Sequence, residues 1–435
     1  MLFFLRLKQK IKKNKLEFSN IIWLTIDKLI KLFVGLFIGV YVARYLGPSD
    51  YGKLNLAKAI YILLTPLSLM GLQQIIVREV LNRPNKKNHI VYSGIILSFL
   101  GSLFSSFFLF IISYFIVQDD KVLKSMLFIL SFAYLFKPIQ VLSYVFEAEI
   151  KSKYNVLSIN IAVVISGLFK LFLVYINANT MYFAYSIVID SLIYSLVLFL
   201  FSFKSKIIDG ISYSLNEIKL LIAFSWPLII ASFSILIYMQ IDKVMIGVYL
   251  TSKDVGIYSA ASQISEIFYF IPVMLSNTIF PYLNKLKTSS SVKFDLEFIK
   301  INRYFTLISM LIIVLVIIFS RWIVKLLFGD DFIESSNILN IHIIGLLFVF
   351  FGVIGSKWIL INNFQQITMY KTLIGMVVNL ILNFLFIPAF GIIGCACATV
   401  ISQIFSGYIL NLISYKTREL FILQSKALIP FYGKK

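Results

Sequence analysis

Long apolar runs separated by short polar or basic breaks recur along this chain. They fall at residues 20–45, 54–72, 91–117, 123–146, 154–176 and 181–203, and, after a polar break at 204–219, at 220–249, 255–283, 304–327, 337–358, 369–389 and 392–415. Each matches or exceeds the ~20 residues that carry an α-helix across a hydrocarbon layer about 30 Å thick. Barrel strands call for alternating segments of about 10 residues, and lipid cannot hydrogen-bond an open backbone, so the runs predict helices. The expected fold is an all-α integral membrane protein with about twelve transmembrane helices.

Composition agrees. Of 435 residues, 60% are hydrophobic and only 14% charged, where a soluble domain averages about 45–50% and about 25%. That balance excludes a soluble enzyme, a disordered chain and a fibrous protein. Two cysteines, Cys395 and Cys397, lie in an apolar stretch without nearby His or acidic residues, which argues against a disulfide framework or a metal site. The breaks at 204–219 and 284–300 are too short to fold alone, so no extramembrane catalytic or nucleotide-binding domain is expected.

The net charge is +20, from 40 Lys+Arg against 20 Asp+Glu. In a membrane protein such an excess belongs to loops that fix orientation against an anionic leaflet, so no nucleic-acid partner is expected. With the N-terminus inside and the breaks alternating, 27 of the basic residues fall inside, 9 outside and 4 within spans. This bias predicts twelve spans with both termini cytoplasmic. The first run is too long for the apolar core of a signal peptide. Residues 1–15 mix Leu2, Phe3, Phe4 and Leu5 with lysines, as in an interfacial anchor or a disordered basic start.

A shift of 204 places Tyr45-Leu46-x-x-x-Asp50-x-Gly52-x-x-x-x-Ala57 onto Tyr249-Leu250-x-x-x-Asp254-x-Gly256-x-x-x-x-Ala261. Each copy joins one helix to the next, with an acidic residue and a glycine suited to the reversal. The copies lie six spans apart, which predicts two parallel halves, residues 1–208 with spans one to six and 209–435 with spans seven to twelve. Transporters built this way bind between their halves. Gly47-Pro-Ser-Asp-Tyr-Gly52-Lys53 begins like a phosphate-binding loop, but Leu54 supplies no hydroxyl for magnesium and a spanning helix precedes it. Gly35-x-x-x-Gly39 suggests close helix packing.

Charges at membrane depth carry the chemistry. An ionised side chain facing lipid costs about 2.5–3.5 kcal/mol even on lenient scales, so such groups face protein or a water-filled cavity. Lys28, Lys31, Lys170 and Lys243 are candidates for a cationic lumen that binds an anionic substrate. Asp27, Asp190, Asp242 and Glu266 are candidates for binding a coupling ion, H+ or Na+. Asp27 and Lys31, four apart, also fit a simple neutralising pair, whereas Lys28 and Lys170 have no opposite charge at helical spacing. Asp242 and Lys243 lie nearer the outer end of their span, where snorkelling weakens the case. Lys137 precedes Pro138 and fits a helix break. Asn379 and Asn383 share one face of span eleven, either lining a polar lumen or linking helices.

Val42-Ala-Arg-Tyr-Leu-Gly-Pro-Ser-Asp-Tyr-Gly52 resembles the end of helix one in the polysaccharide transporter family, the Wzx-type O-antigen flippases of the multidrug/oligosaccharidyl-lipid/polysaccharide (MOP) superfamily. Gly71-Leu-Gln-Gln-Ile-Ile-Val-Arg-Glu79 resembles that family's helix-two exit. Ser225-Trp-Pro227, Ile241-Asp-Lys-Val-Met-Ile-Gly247 and Val255-Gly-Ile-Tyr-Ser-Ala-Ala261 are similar to the opening of its second half. Ile387-Pro-Ala-Phe-Gly-Ile-Ile-Gly-Cys-Ala-Cys-Ala-Thr399 is similar to its entry to helix twelve.

The resemblance implies a MOP/MATE-like pair of pseudo-symmetric six-helix bundles in the bacterial cytoplasmic (inner) membrane. It implies a non-enzymatic flippase that moves an undecaprenyl-diphosphate-linked oligosaccharide repeat unit to the outer leaflet by ion-driven alternating access, for O-antigen or capsule-type polysaccharide. Membrane lipid and other polysaccharide-assembly membrane proteins are the partners it implies. Two alternatives stand beside it. A MATE-like exporter of small organic cations calls for acidic cavity residues, and a polytopic polymerase or ligase calls for a sizeable outer loop.

Overall fold

The computed structural model describes residues 15–116, 120–205, 207, 210 and 212–428, with the side chains of 15–22, 24–26, 28, 29, 32 and 116 outside that description. The anchor expected at residues 1–15 therefore lies outside the described residues, apart from the helical backbone of Lys15. Among the described residues ten helical stretches are long and apolar enough to cross a membrane: Phe33–Asn82, Pro84–Phe115, Lys121–Ala148, Ser152–Tyr175, Thr180–Lys204, Leu215–Tyr249, Ser252–Ser289, Ser291–Phe328, Ser335–Ile361 and Gln365–Ile413.

The first and last of these have 50 and 49 residues. At 1.5 Å per residue each would measure about 75 Å, more than twice the hydrocarbon thickness. Both are broken by a glycine in the left-handed region, Gly47 (φ 69°) and Gly391 (φ 61°). A residue with a Cβ is strained there, and glycine is not. Divided at these glycines the stretches become spans one, two, eleven and twelve, and the ten stretches give twelve crossings. The multi-pass membrane fold expected from the apolar runs is thereby present.

Two compact units emerge. One holds the residues up to Leu46 together with Ala57–Phe233, and the other holds Gly47–Leu56 together with the residues from Ser234 onward. The division falls inside span seven, the stretch Leu215–Tyr249, rather than in the polar break at 204–219. The reason is local. Ile207 is buried with Leu72, Ile76, Val91, Val141 and Leu221 in the first unit's core, so the break and the start of span seven belong to that unit.

Within the first unit, breaks that the charge alternation assigns to one side do meet. Arg83 forks onto both oxygens of Glu217 at 2.8 and 2.9 Å, and Lys87 reaches Glu149 at 2.7 Å, which ties together the breaks after spans two, four and six. At the opposite ends, Tyr45 Oη donates to Ala178 O at 3.0 Å and joins the breaks after spans one and five.

The repeat has structural counterparts. Span four contains a 3-10 segment, Phe132–Val141, around Pro138, and span ten contains a shorter one, Ile343–Gly345. Mid-helix 3-10 geometry often marks a hinge or strain. The reversal that the sequence attributes to Gly52 and Gly256 is built otherwise. Gly47 turns the first copy, and in the second Thr251 caps the helix reciprocally with Asp254. Gly52 and Gly256 instead lie inside helices, at a close approach. The Gly35-x-x-x-Gly39 reading also shifts: a Cβ on Gly35 would meet nothing within 4 Å, whereas one on Gly167 would lie 2.6 Å from Ile38 and 3.3 Å from Val34, so span five's glycine sets the close contact with span one.

Candidate functional site

Span one supplies Asp27, Lys28 and Lys31. Lys31 Nζ donates to Asp27 Oδ2 at 2.9 Å, the neutralising pair that i, i+4 spacing permits. Asp27 Oδ1 is buried without a hydrogen-bond partner among the described residues. The side chain of Lys28 lies outside the described residues.

The first unit gathers lysines around one acid. Asp190 of span six accepts from Ser166 Oγ at 3.3 Å and stands within electrostatic reach of Lys170, Lys137 and Lys58. Lys137 lies in the 3-10 segment of span four, at the break its neighbour Pro138 suggests, with Nζ 5.8 Å from the centre of the Tyr61 ring. Lys137 and Lys170 set two ammonium groups near that one carboxylate, a locally positive field. That field suits an anion and disfavours a cation at Asp190, which acts as counter-charge to the lysines. Lys58 escaped sequence reasoning because it sits near a span end, where a basic residue draws no notice.

The second unit holds a different cluster. Asp242 of span seven is 6% exposed. Its Oδ2 accepts from Tyr258 Oη and from Thr399 Oγ1, each at 2.6 Å, and its Oδ1 accepts from Asn383 Nδ2 at 2.7 Å. Asn383 Nδ2 also reaches Asn379 Oδ1 at 3.2 Å, and both asparagines are fully buried. Among the described residues no Lys, Arg or His pairs directly with Asp242. The buried carboxylate therefore rests on neutral donors alone.

The hydroxyl proton of Thr399 is over-subscribed in this cluster. Thr399 has one hydroxyl proton, yet it lies within hydrogen-bond distance of both Asp242 and Cys395 O, the latter at 3.0 Å. Asn383 Oδ1 and Asn379 Nδ2 are buried with no partner among the described residues. A carboxylate, two amide oxygens, a hydroxyl and a carbonyl make this an oxygen-rich cluster, with chemistry suited to a proton or a hard monovalent cation. Among the described residues no group of three or more His, Cys, Asp or Glu side chains is placed to hold a metal ion. Tyr258 and Thr399 carry no charge and so did not stand out in the sequence, although both lie in its recognisable motifs.

Lys243 and Glu266 stand apart from this cluster. Lys243 Nζ donates to Gln240 Oε1 at 3.3 Å. Glu266 is exposed, next to a break in span eight between Ile267 and Phe270. The break interrupts the span where an acidic side chain would otherwise meet an unbroken apolar helix.

At the end of the first unit where the three breaks meet, Glu79, Arg83 and Glu217 form a chain of charge-assisted hydrogen bonds. The Glu217 contact, foremost, raises the Arg83 guanidinium further above its ordinary value. Burial alone would push the Glu149 carboxyl up, but hydrogen bonds from Lys151 and Lys87 outweigh it and hold Glu149 below the usual carboxylate range.

Comparison with known proteins follows the same lines. A family model described as "Polysaccharide biosynthesis protein" matches residues 18–287, and a second, MatE, matches 227–385. The chain is 22% identical over 407 residues to a Shigella flexneri protein named "Putative O-antigen transporter", covering 90% of this chain and 96% of that one. It is 26% identical over 167 residues to the "Capsular polysaccharide biosynthesis protein CapF" of Staphylococcus aureus, covering 38% and 41% of the two chains. The lipid II flippase MurJ in an inward closed conformation superposes with a TM-score of 0.73 at 17% identity, over 94% of this chain and 91% of that one. An inward-facing multidrug-resistance MATE transporter of the MOP superfamily gives 0.72 at 15%, over 94% and 99%. At such identities the likeness is one of fold.

Proposed function

We propose, for a chain that belongs to the polysaccharide biosynthesis protein family, that it is a flippase which carries an undecaprenyl-diphosphate-linked oligosaccharide from the inner to the outer leaflet of the bacterial cytoplasmic membrane. The observation that carries this reading is the placement of two ammonium groups, Lys137 and Lys170, within electrostatic reach of the carboxylate of Asp190. A diphosphate is the anion such a field attracts most strongly away from bulk water. Both lysines lie within their spans, where each is costly unless it faces a polar environment.

The cycle is alternating access with both termini cytoplasmic, coupled to an ion that binds at Asp242. Sodium or a proton neutralises the buried carboxylate, and its release restores the charge. The names of the Shigella and Staphylococcus relatives support a role in O-antigen or capsule assembly.

The test is a deletion strain complemented with the wild type, K137A or K170A. Lipid-linked repeat units retained on the cytoplasmic leaflet in the null strain and in both variants support the flippase. Single units accumulating on the outer leaflet would instead indicate a polymerase. A second reading draws on the MatE match to residues 227–385, which contain Asp242, Tyr258, Asn379 and Asn383 of that cluster. An exporter of small organic cations would leave polysaccharide intact and sensitise the null strain to cationic drugs.

A further inference from the structure

The buried face of span eleven carries Lys371, Gly375, Asn379 and Asn383 at successive intervals of four. One ridge of a helix thus presents a polar ladder to the interior of the second unit over twelve positions, about 18 Å. Its far rungs, Asn379 and Asn383, belong to the Asp242 cluster. Its near end is an ammonium that is 9% exposed, with Nζ donating to Asn411 Oδ1 at 2.6 Å and with no carboxylate partner among the described residues.

The gap between the two ends is polar as well. A Cβ on Gly375 would lie 2.9 Å from Ser406 Cβ, and it would meet Ser406 Oγ at 3.6 Å and Tyr238 Cε2 at 3.7 Å. Tyr238 Oη and Ser406 Oγ are 3.5 Å apart. Ser406 sits in a π-turn of span twelve, Phe405–Ile409, and such turns disturb the helical hydrogen-bond ladder and frequently mark functional sites. Asn379 Nδ2 has no partner among the described residues. The polarity of the near end is fixed from outside the ladder. Gln424 Nε2 donates to Phe351 O at 3.0 Å, so Gln424 Oε1 accepts from Asn411 Nδ2 at 2.9 Å, which leaves Asn411 Oδ1 for the lysine.

We propose that this ladder is the path by which the cation of the Asp242 site exchanges with the side on which span eleven begins, and that the Lys371 ammonium is its electrostatic gate. A fixed positive charge at the mouth of a narrow polar path repels a passing cation, be it sodium or a proton carried along water. The inference rests on the reading of Asp242 as the ion site. It adds a path, a direction and a gating residue.

The experiment uses the full-length protein in liposomes, with 22Na+ uptake and a pyranine proton assay run separately, alongside sodium and proton binding in detergent. K371Q and K371M should each raise uncoupled flux of one ion about tenfold or more, and K371R should match the wild type. N379L added to K371Q should suppress the leak. D242N should abolish binding of the same ion. Binding lost in D242N with wild-type flux in both neutral Lys371 variants overturns the gate and leaves the ion site standing. Unchanged binding in D242N overturns the ion site and the path with it. A leak in K371R equal to that in K371Q also overturns the gate, because packing rather than charge would then close the path.

Discussion

Gly52 and Gly256, 204 positions apart in a duplicated motif, lie against one another in the second unit. A Cβ on Gly52 would sit 2.8 Å from Gly256 N and collide with Ser252 O, and one on Gly256 would sit 3.2 Å from Gly52 N and collide with Pro48 O. The obstructing atoms are backbone, so no side chain can swing aside. G52A and G256A should each lower stability by about 1–3 kcal/mol. Thermal unfolding in detergent reads this directly, and an unshifted midpoint in both variants would show that the helices separate without cost.

The lysine cluster predicts an asymmetry. K170A should cut surface polysaccharide about tenfold or more while the protein still inserts, and K170E should be worse because it reverses the field. D190N removes the carboxylate that stands opposite Lys137 and Lys170 and should also destabilise the first unit. Immunoblots of membrane fractions separate insertion from transport. Polysaccharide at wild-type levels in both Lys170 variants refutes a role for the cluster.

Asp242 yields a ligand-linked stability test. An ion bound only by the folded protein stabilises it by about 2.7 kcal/mol at a hundredfold excess over its dissociation constant. Sodium titration at fixed pH, and a pH series without sodium, should show this rise for the wild type by differential scanning fluorimetry. D242N keeps the size of the side chain and should abolish the response with little loss of baseline stability.

Arg83 and Glu217 predict a charge-swap rescue. Glu217 is buried, so R83A leaves its charge poorly compensated and should cost about 3 kcal/mol. The double variant R83E/E217R should recover part of that loss. A double-mutant cycle with no coupling energy would count against the strap between the two breaks.

Glu149 sets an acid limit. Lysine contacts hold its carboxyl below the ordinary 4.5, so they contribute stability in full above that pH and lose it as pH falls through the lowered value. The stability difference between wild type and E149Q should therefore persist at neutral pH and shrink on acidification below about 4.5.

Much of this was legible in the chain itself. Apolar runs and the Lys/Arg alternation anticipated twelve crossings, and the meeting of Arg83 with Glu217 and of Tyr45 with Ala178 agrees with the assigned sides. The Asp27–Lys31 pair followed from helical spacing alone. The turn at residues 45–57 was misread because a glycine needed for a positive φ, Gly47, and one needed for close approach, Gly52, look alike as letters. The Asp242 site was half visible. Its carboxylate stood out as a charge in an apolar run, but Tyr258 and Thr399 come from distant spans and carry no charge, and only folding brings them within 2.6 Å.

The ten residues Gly47–Leu56 are built into the unit that otherwise begins at Ser234. A gene fragment encoding only the latter half would lack a piece of its own interior, and Tyr51 would no longer supply its 2.7 Å hydrogen bond to Gln263. Half-molecules expressed apart should therefore reassemble only when both are made together. A bisected version meant for biosensing or for labelling one half would have to be cut elsewhere than the obvious midpoint of the chain.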